Sequence, residues 1–157
     1  MNSSSVSVAK IAELLDLKNF TDEIDLKKRK ITTTDINRPA LQLTGYFEHF
    51  EESRVEIIGN VEYTYIQQMS DEEKRIRYDA FLKFDIPCVI FSRNLTPDPI
   101  FLKEAFANHV PVLGTGRSTS EFTAELIYTL GEQLAPCISL HGVLVDVYGE
   151  GLMITGD

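Results

Sequence analysis

The amino-acid sequence predicts an α/β fold: a mainly parallel sheet with flanking helices, followed by a C-terminal β-hairpin. Three observations carry that expectation. Short apolar runs at residues 55–59, 86–92 and 110–113 are each bounded by turn residues and read as strands. Segments with apolar residues at helical spacing lie between and after them, so strand and helix alternate as in a sheet built from crossover units. The run 86–92 is apolar at nearly every position, as a strand covered on both faces would be. With 157 residues, 43% of them hydrophobic, the chain is long enough for one domain with a substantial core.

The elements follow in order. Val8, Ile11, Leu14 and Leu15 share one face of a first helix, with Ser5 or Ser7 available as its N-cap. The threonine-rich residues 31–36 read as a short strand or extended segment. Asn37-Arg38-Pro39 opens a second helix, proline being suited to a first turn, and Ala40, Leu41, Leu43, Tyr46, Phe47 and Phe50 form its apolar stripe. Gly45 within that helix costs about 1 kcal/mol relative to alanine, which points to close packing against another backbone. After strand 55–59, Asn60 caps a short helix running to Met69. Ser70 and Glu73, at capping-box spacing, open the next one, which carries Tyr78, Phe81 and Leu82. Thr96-Pro97 opens a helix carried by Ile100, Phe101, Leu102 and Phe106. Gly114-Thr115-Gly116 closes strand 110–113, and Ser118 with Glu121 caps a long helix through Leu126, Ile127 and Leu130. Residues 142–148 and 152–155 read as two strands joined by the tight turn Gly149-Glu150-Gly151.

Composition removes several function classes. A net charge of −9 argues against nucleic acid as a partner, because that affinity rests on cationic neutralisation of phosphates. The one basic run, Lys27-Lys28-Arg29-Lys30, follows the acidic Asp22-Glu23-Ile24-Asp25 and reads as a solvated face. No run approaches the roughly 18 apolar residues of a membrane span. The N-terminal residues lack the basic and apolar regions of a signal peptide. Cys88 and Cys137 do not make a disulfide framework, and Cys88 lies in an apolar run that would bury it as a thiol. The expected location is therefore cytoplasmic.

Candidate chemistry gathers at the carboxyl ends of the predicted parallel strands, where open α/β sheets bind their ligands. That edge collects Gly59-Asn60, Ser92-Arg93-Asn94 and residues 114–120. Gly116, Ser118, Thr119 and Ser120 stand at a helix N-terminus and are a candidate anion site, or serve as caps and turn residues. There is no metal-ligand spacing: no paired cysteines, no His-x-x-x-His and no clustered carboxylates. His49 and His109 end helical stretches and read as structural or solvent-facing. Strand 152–155 runs into Gly156-Asp157, which is how a phosphate-binding loop G-x-x-x-x-G-K-[ST] opens, although only its first glycine is present.

Several segments together resemble the HPr kinase/phosphorylase family. They are Ile36-Asn37-Arg38-Pro39-Ala40-Leu41-Gln42-Leu43-Thr44-Gly45-Tyr46-Phe47, Arg54-Val55-Glu56-Ile57-Ile58-Gly59 with Glu62, and Ile86-Pro87-Cys88-Val89-Ile90. Pro111-Val112-Leu113 followed by Ser118-Thr119-Ser120, and the whole stretch from His141 to Asp157, complete the match in order. Ala40 departs from the family's usual glycine, which touches packing and not chemistry.

The resemblance implies a bifunctional cytoplasmic enzyme that phosphorylates a serine of the phosphocarrier protein HPr with ATP or pyrophosphate and Mg2+, and reverses the reaction with inorganic phosphate. It implies a homo-oligomer, a hexamer, linking the sugar phosphotransferase system to carbon catabolite repression. It also implies an N-terminal α/β domain at 1–135 and, at 136–157, the first hairpin of a kinase domain cut at its P-loop. His141 would be a catalytic residue, and Gly156 and Asp157 nucleotide-binding. The P-loop lysine and the catalytic aspartate would lie further on, so this chain by itself is expected to be inactive. From the residues alone, a free-standing α/β regulatory module binding a small anionic metabolite at the 114–120 edge stays open.

Overall fold

A computed structural model describes residues 4–135. The predicted C-terminal hairpin lies outside them. The chain opens with β1 (Val6–Ser7) and α1 (Val8–Leu14), then runs through three more two-residue strands, β2 (Lys18–Asn19), β3 (Lys30–Ile31) and β4 (Ile36–Asn37). Then come β5 (Val55–Ile58), α2 (Asn60–Gln67), α3 (Asp71–Leu82), β6 (Val89–Phe91), α4 (Pro99–Asn108), β7 (Val112–Gly114) and α5 (Thr119–Leu134).

The sheet runs in the order β2-β7-β6-β5-β4. Its three pairings among β4, β5, β6 and β7 are parallel, and β2 joins β7 antiparallel at one edge. β1 and β3 form a separate antiparallel ribbon.

Strand alternation assigns the two faces. Ile58, Val89, Phe91 and Val112 point into one core with Ile66 of α2, Tyr78 and Phe81 of α3, and Phe101 of α4. Val55, Ile57, Ile90 and Leu113 point into the other, with Val8 and Ile11 of α1 and Phe122, Leu126 and Leu130 of α5. Every residue of β5, β6 and β7 is buried, the charged Glu56 of β5 included.

The caps follow local chemistry. Ser7, Ser70 and Ser118 accept hydrogen bonds from the amides of Lys10, Glu73 and Glu121 at 3.0, 3.2 and 3.2 Å. Three expectations are corrected. Gly59, not Asn60, is the N-cap of α2: its amide donates to Glu62 Oε1 at 2.8 Å. Asp98, not Thr96, caps α4, accepting from Phe101 N at 2.7 Å with Pro99 at the first helical position.

The third correction concerns the helix expected over residues 40–50. Only a 3-10 turn forms there, Gln42–Thr44. Gly45 ends it at φ 97°, in the left-handed region that favours glycine. A Cβ on Gly45 would also collide with the guanidinium of Arg77. The aromatic residues that look like a helical stripe instead cap a core through a loop. The rings of Phe47 and Phe50 lie 5.0 and 4.9 Å from that of Phe84, while Leu41 and Tyr46 stay exposed.

Residues 31–36 split between two sheets, Ile31 pairing with Val6 and Ile36 with Val55. The basic run keeps Lys27, Lys28 and Lys30 exposed, whereas Arg29 pairs with Asp85 at 3.1 Å and donates to the Ile86 carbonyl. Cys88 is a buried free thiol, and burial pushes its pKa up to about 12. Among the described residues, no helix is long and apolar enough to cross a membrane.

Candidate functional site

The carboxyl ends of β5, β6 and β7 stand side by side, and the loops that leave them are laced together. Ser92 N donates to Ile58 O at 3.0 Å, Thr115 N to Phe91 O at 2.9 Å, and Asn94 N to Thr115 O at 2.9 Å. Arg93 N donates to Arg117 O at 2.9 Å. These bonds hold Arg93 and Asn94 at φ 58° and 57°, a left-handed pair of non-glycine residues that costs energy and persists only because its surroundings enforce it.

Two buried polar joints brace this edge. Ser92 Oγ and Thr119 Oγ1 lie 2.7 Å apart, and Ser92 Oγ also donates to Ile58 O at 3.3 Å. Glu62 Oε1 accepts from Gly59 N and from Arg38 Nη2, both at 2.8 Å. Gly59 is glycine for space: a Cβ there would come within 2.6 Å of Thr119 Oγ1 and 2.8 Å of Arg38 Nη2.

The candidate anion residues are gathered here, around the first turn of α5. Ser118 Oγ is engaged both ways, accepting from Glu121 N and donating to Glu121 Oε1, each at 3.2 Å. Thr119 spends its hydroxyl on Ser92. The Glu121 carboxylate, in the first turn of α5, accepts from Ser118 Oγ and complements the helix dipole.

Beside them, where β2 and its flanking residues meet the loops that leave β6 and β7, lies an open cavity of about 260 Å³ lined by Asp16, Lys18, Phe20, residues 94–96 and residues 114–116. Gly114 admits the Phe20 ring, since a Cβ would stand 2.7 Å from Phe20 Cε2. Gly116 is bounded by the Asn94 carboxamide, 3.0 Å from where a Cβ would be. Lys18 Nζ sits over the Phe20 ring, 5.0 Å from its centroid. The glycines and Asn94 belong to the edge anticipated from sequence. Asp16, Lys18 and Phe20 were not anticipated, because a two-residue strand has no periodicity to reveal it. Their one local signal is the Asx turn in which Thr21 N donates to Asn19 Oδ1 at 2.8 Å.

His141, Gly156 and Asp157 lie outside the described residues. His49 and His109 are both exposed, at φ 62° and 59°, and His109 ends α4. Among the described residues, no group of three or more His, Cys, Asp or Glu could hold a metal ion.

Comparison with known proteins decides the kinship. The family model described as HPr Serine kinase N terminus matches residues 6–130. The chain belongs to this family. Relatives of this HPr serine kinase N-terminal chain include the HPr kinase/phosphorylase of Lachnoclostridium phytofermentans, 45% identical over 153 residues, covering 98% of this chain and 50% of that protein. The HPr kinase/phosphorylase of Caldicellulosiruptor bescii is 40% identical over 151 residues, covering 96% and 49%. That of Latilactobacillus sakei is 38% identical over 153 residues, covering 98% and 49%. The chain thus spans about half the length of the relatives it matches.

Among solved structures, the fold of this chain is similar to that of the CBS and DRTGG domains of the regulatory region of Clostridium perfringens pyrophosphatase, complexed with its activator diadenosine tetraphosphate. The TM-score is 0.53 at 16% identity, covering 77% of this chain and 45% of that one. At that identity the likeness concerns the fold alone.

Proposed function

We propose that this chain is the N-terminal part of a bifunctional HPr kinase/phosphorylase. The supporting observation is the 45% identity that runs over 98% of the chain against a protein of that name. The complete enzyme transfers phosphate from ATP or pyrophosphate, with Mg2+, to a serine of HPr and reverses the transfer with inorganic phosphate, as a cytoplasmic hexamer serving carbon catabolite control. ATP or pyrophosphate and Mg2+ belong to the segment that starts at Gly156-Asp157, with His141 beside the transferred phosphate as a proton carrier near neutral pH.

On this reading the lysine that cradles the transferred phosphate belongs to the half of the enzyme beyond these 157 residues, which hold the opening glycine of the loop pattern. Residues 4–135, which precede that segment in sequence, build the helix-flanked sheet. The test is a Mg2+-dependent phosphorylation assay on HPr, run with this chain and with the same chain extended to its relatives' full length. Activity is expected from the extended protein and not from the 157 residues. Phosphorylation by the short chain, or none by the long one, overturns the reading.

A further inference from the structure

Lys18 and Asp16, both solvent-exposed, line one open cavity with opposite charges, and neither is in an ion pair among the described residues. The Lys18 ammonium is held over the Phe20 ring instead of against the Asp16 carboxylate. Asp16 stands at φ 54° and Asn94 at φ 57°, so two of the lining residues occupy strained backbone, and both are types that tolerate it. The Asn94 carboxamide and the Thr96 hydroxyl, on exposed residues, make no hydrogen bond to another described residue and are free to meet water or a ligand, although the Thr96 carbonyl accepts from Tyr63 Oη at 2.8 Å. Thr115 Oγ1 accepts from Arg117 N and Nη1 at 3.2 and 3.1 Å, which leaves its hydroxyl proton to donate. Phe20 and Leu95 supply an apolar wall. The cavity sits at the carboxyl edge of the parallel strands, the usual ligand position in such sheets.

We propose that this cavity binds a small zwitterion of the free α-amino-acid class. Lys18 takes the carboxylate, Asp16 takes the ammonium, and Asn94 and Thr96 complete the polar contacts. Phe20 and Leu95 face the ligand's side chain. The charges favour this class over a phosphate compound: one cation and one anion line the cavity, and the whole chain carries −9. A dianion would face the Asp16 carboxylate and a repulsive long-range field, whereas a net-neutral, charge-separated ligand satisfies both side chains. A volume of about 260 Å³ suits a molecule of amino-acid size.

The test is an amide chemical-shift titration of the 15N-labelled 157-residue chain with L-leucine, L-serine, N-acetyl-L-leucine, L-leucinamide and inorganic phosphate, each at millimolar concentration. Saturable shifts at Lys18, Asn94, Thr96 and Gly116 are expected with at least one free amino acid. Blocking either its amine or its carboxylate is expected to weaken binding about tenfold or more, as are Lys18→Ala and Asp16→Asn. Asn94→Gly keeps the left-handed backbone, removes the carboxamide and is expected to weaken binding while the spectrum stays dispersed. Equal binding of the blocked analogues, tighter binding of phosphate, or no saturable shift with any probe overturns the proposal. None of these outcomes depends on phosphorylation of HPr, so the kinase reading stands or falls separately.

Discussion

Ser92 Oγ and Thr119 Oγ1, 27 positions apart in sequence, meet at 2.7 Å in the buried joint between the end of β6 and the first turn of α5. Removing the Ser92 hydroxyl takes from Thr119 Oγ1 the one hydrogen-bond partner it has among the described residues, in a joint that water does not reach. Ser92→Ala is expected to cost about 1–3 kcal/mol. Thr119→Val should cost less, because Ser92 keeps Ile58 O as an acceptor. Urea unfolding of both singles and the double variant should show a coupling of about 0.5 kcal/mol or more, and strict additivity would contradict a shared bond.

Asp98 joins two helices. It caps α4, accepts from Tyr78 Oη at 2.7 Å and pairs with Lys74 Nζ at 3.5 Å, with Asp98 and Lys74 both largely buried. Burial, reinforced by Asp98, raises the Tyr78 pKa and keeps its hydroxyl protonated as a donor. Asp98→Ala removes all three interactions and strands a buried cation, so a loss of about 3–5 kcal/mol is expected in chemical denaturation. Asp98→Asn retains the cap and should lose clearly less.

Glu56 is fully buried in β5, where Asn37 Nδ2 donates to its Oε1 at 2.7 Å and its Oε2 has no partner among the described residues. Desolvation raises its pKa from 4.5 to about 7, against the opposing pull of Asn37 and Arg54. A raised carboxyl pKa means that the folded state prefers the protonated form. Its contribution is therefore complete below about pH 4.5 and lost as pH climbs through about 7, a span worth roughly 3 kcal/mol. Glu56→Gln should flatten that part of the stability–pH curve and be the more stable protein at pH 8. Parallel curves for the two proteins would show that Glu56 stays ionised in the fold.

Gly131 lies in the interior of α5, and a Cβ there would meet nothing within 4 Å. Gly131→Ala should therefore stabilise by about 0.5–1 kcal/mol through the helix propensity alone. Calorimetry should register a rise in Tm of about 1–4 °C for a chain of this size. A fall would mean that this face of α5 is covered by something a methyl group disturbs.

What the sequence determined by itself is what chain neighbours decide. Ser70 and Glu73, or Ser118 and Glu121, are three residues apart, so their caps form wherever the helix forms. The buried strands could be read because a run covered on both faces is apolar at nearly every position, Glu56 being the exception, and the family was legible because its short segments recur in order along the chain. Tertiary structure alone decided the rest. The 40–50 stretch carries helical periodicity, yet Gly45 stops it after one turn, and Phe84, more than thirty residues on, takes its aromatic rings. The two-residue strands exist only because Val6 finds Ile31 and Lys18 finds Gly114. The cavity beside Gly114 and Gly116 was half visible as glycines, while its charged wall, Asp16 and Lys18, arrives by a pairing across the sheet edge that no local pattern encodes.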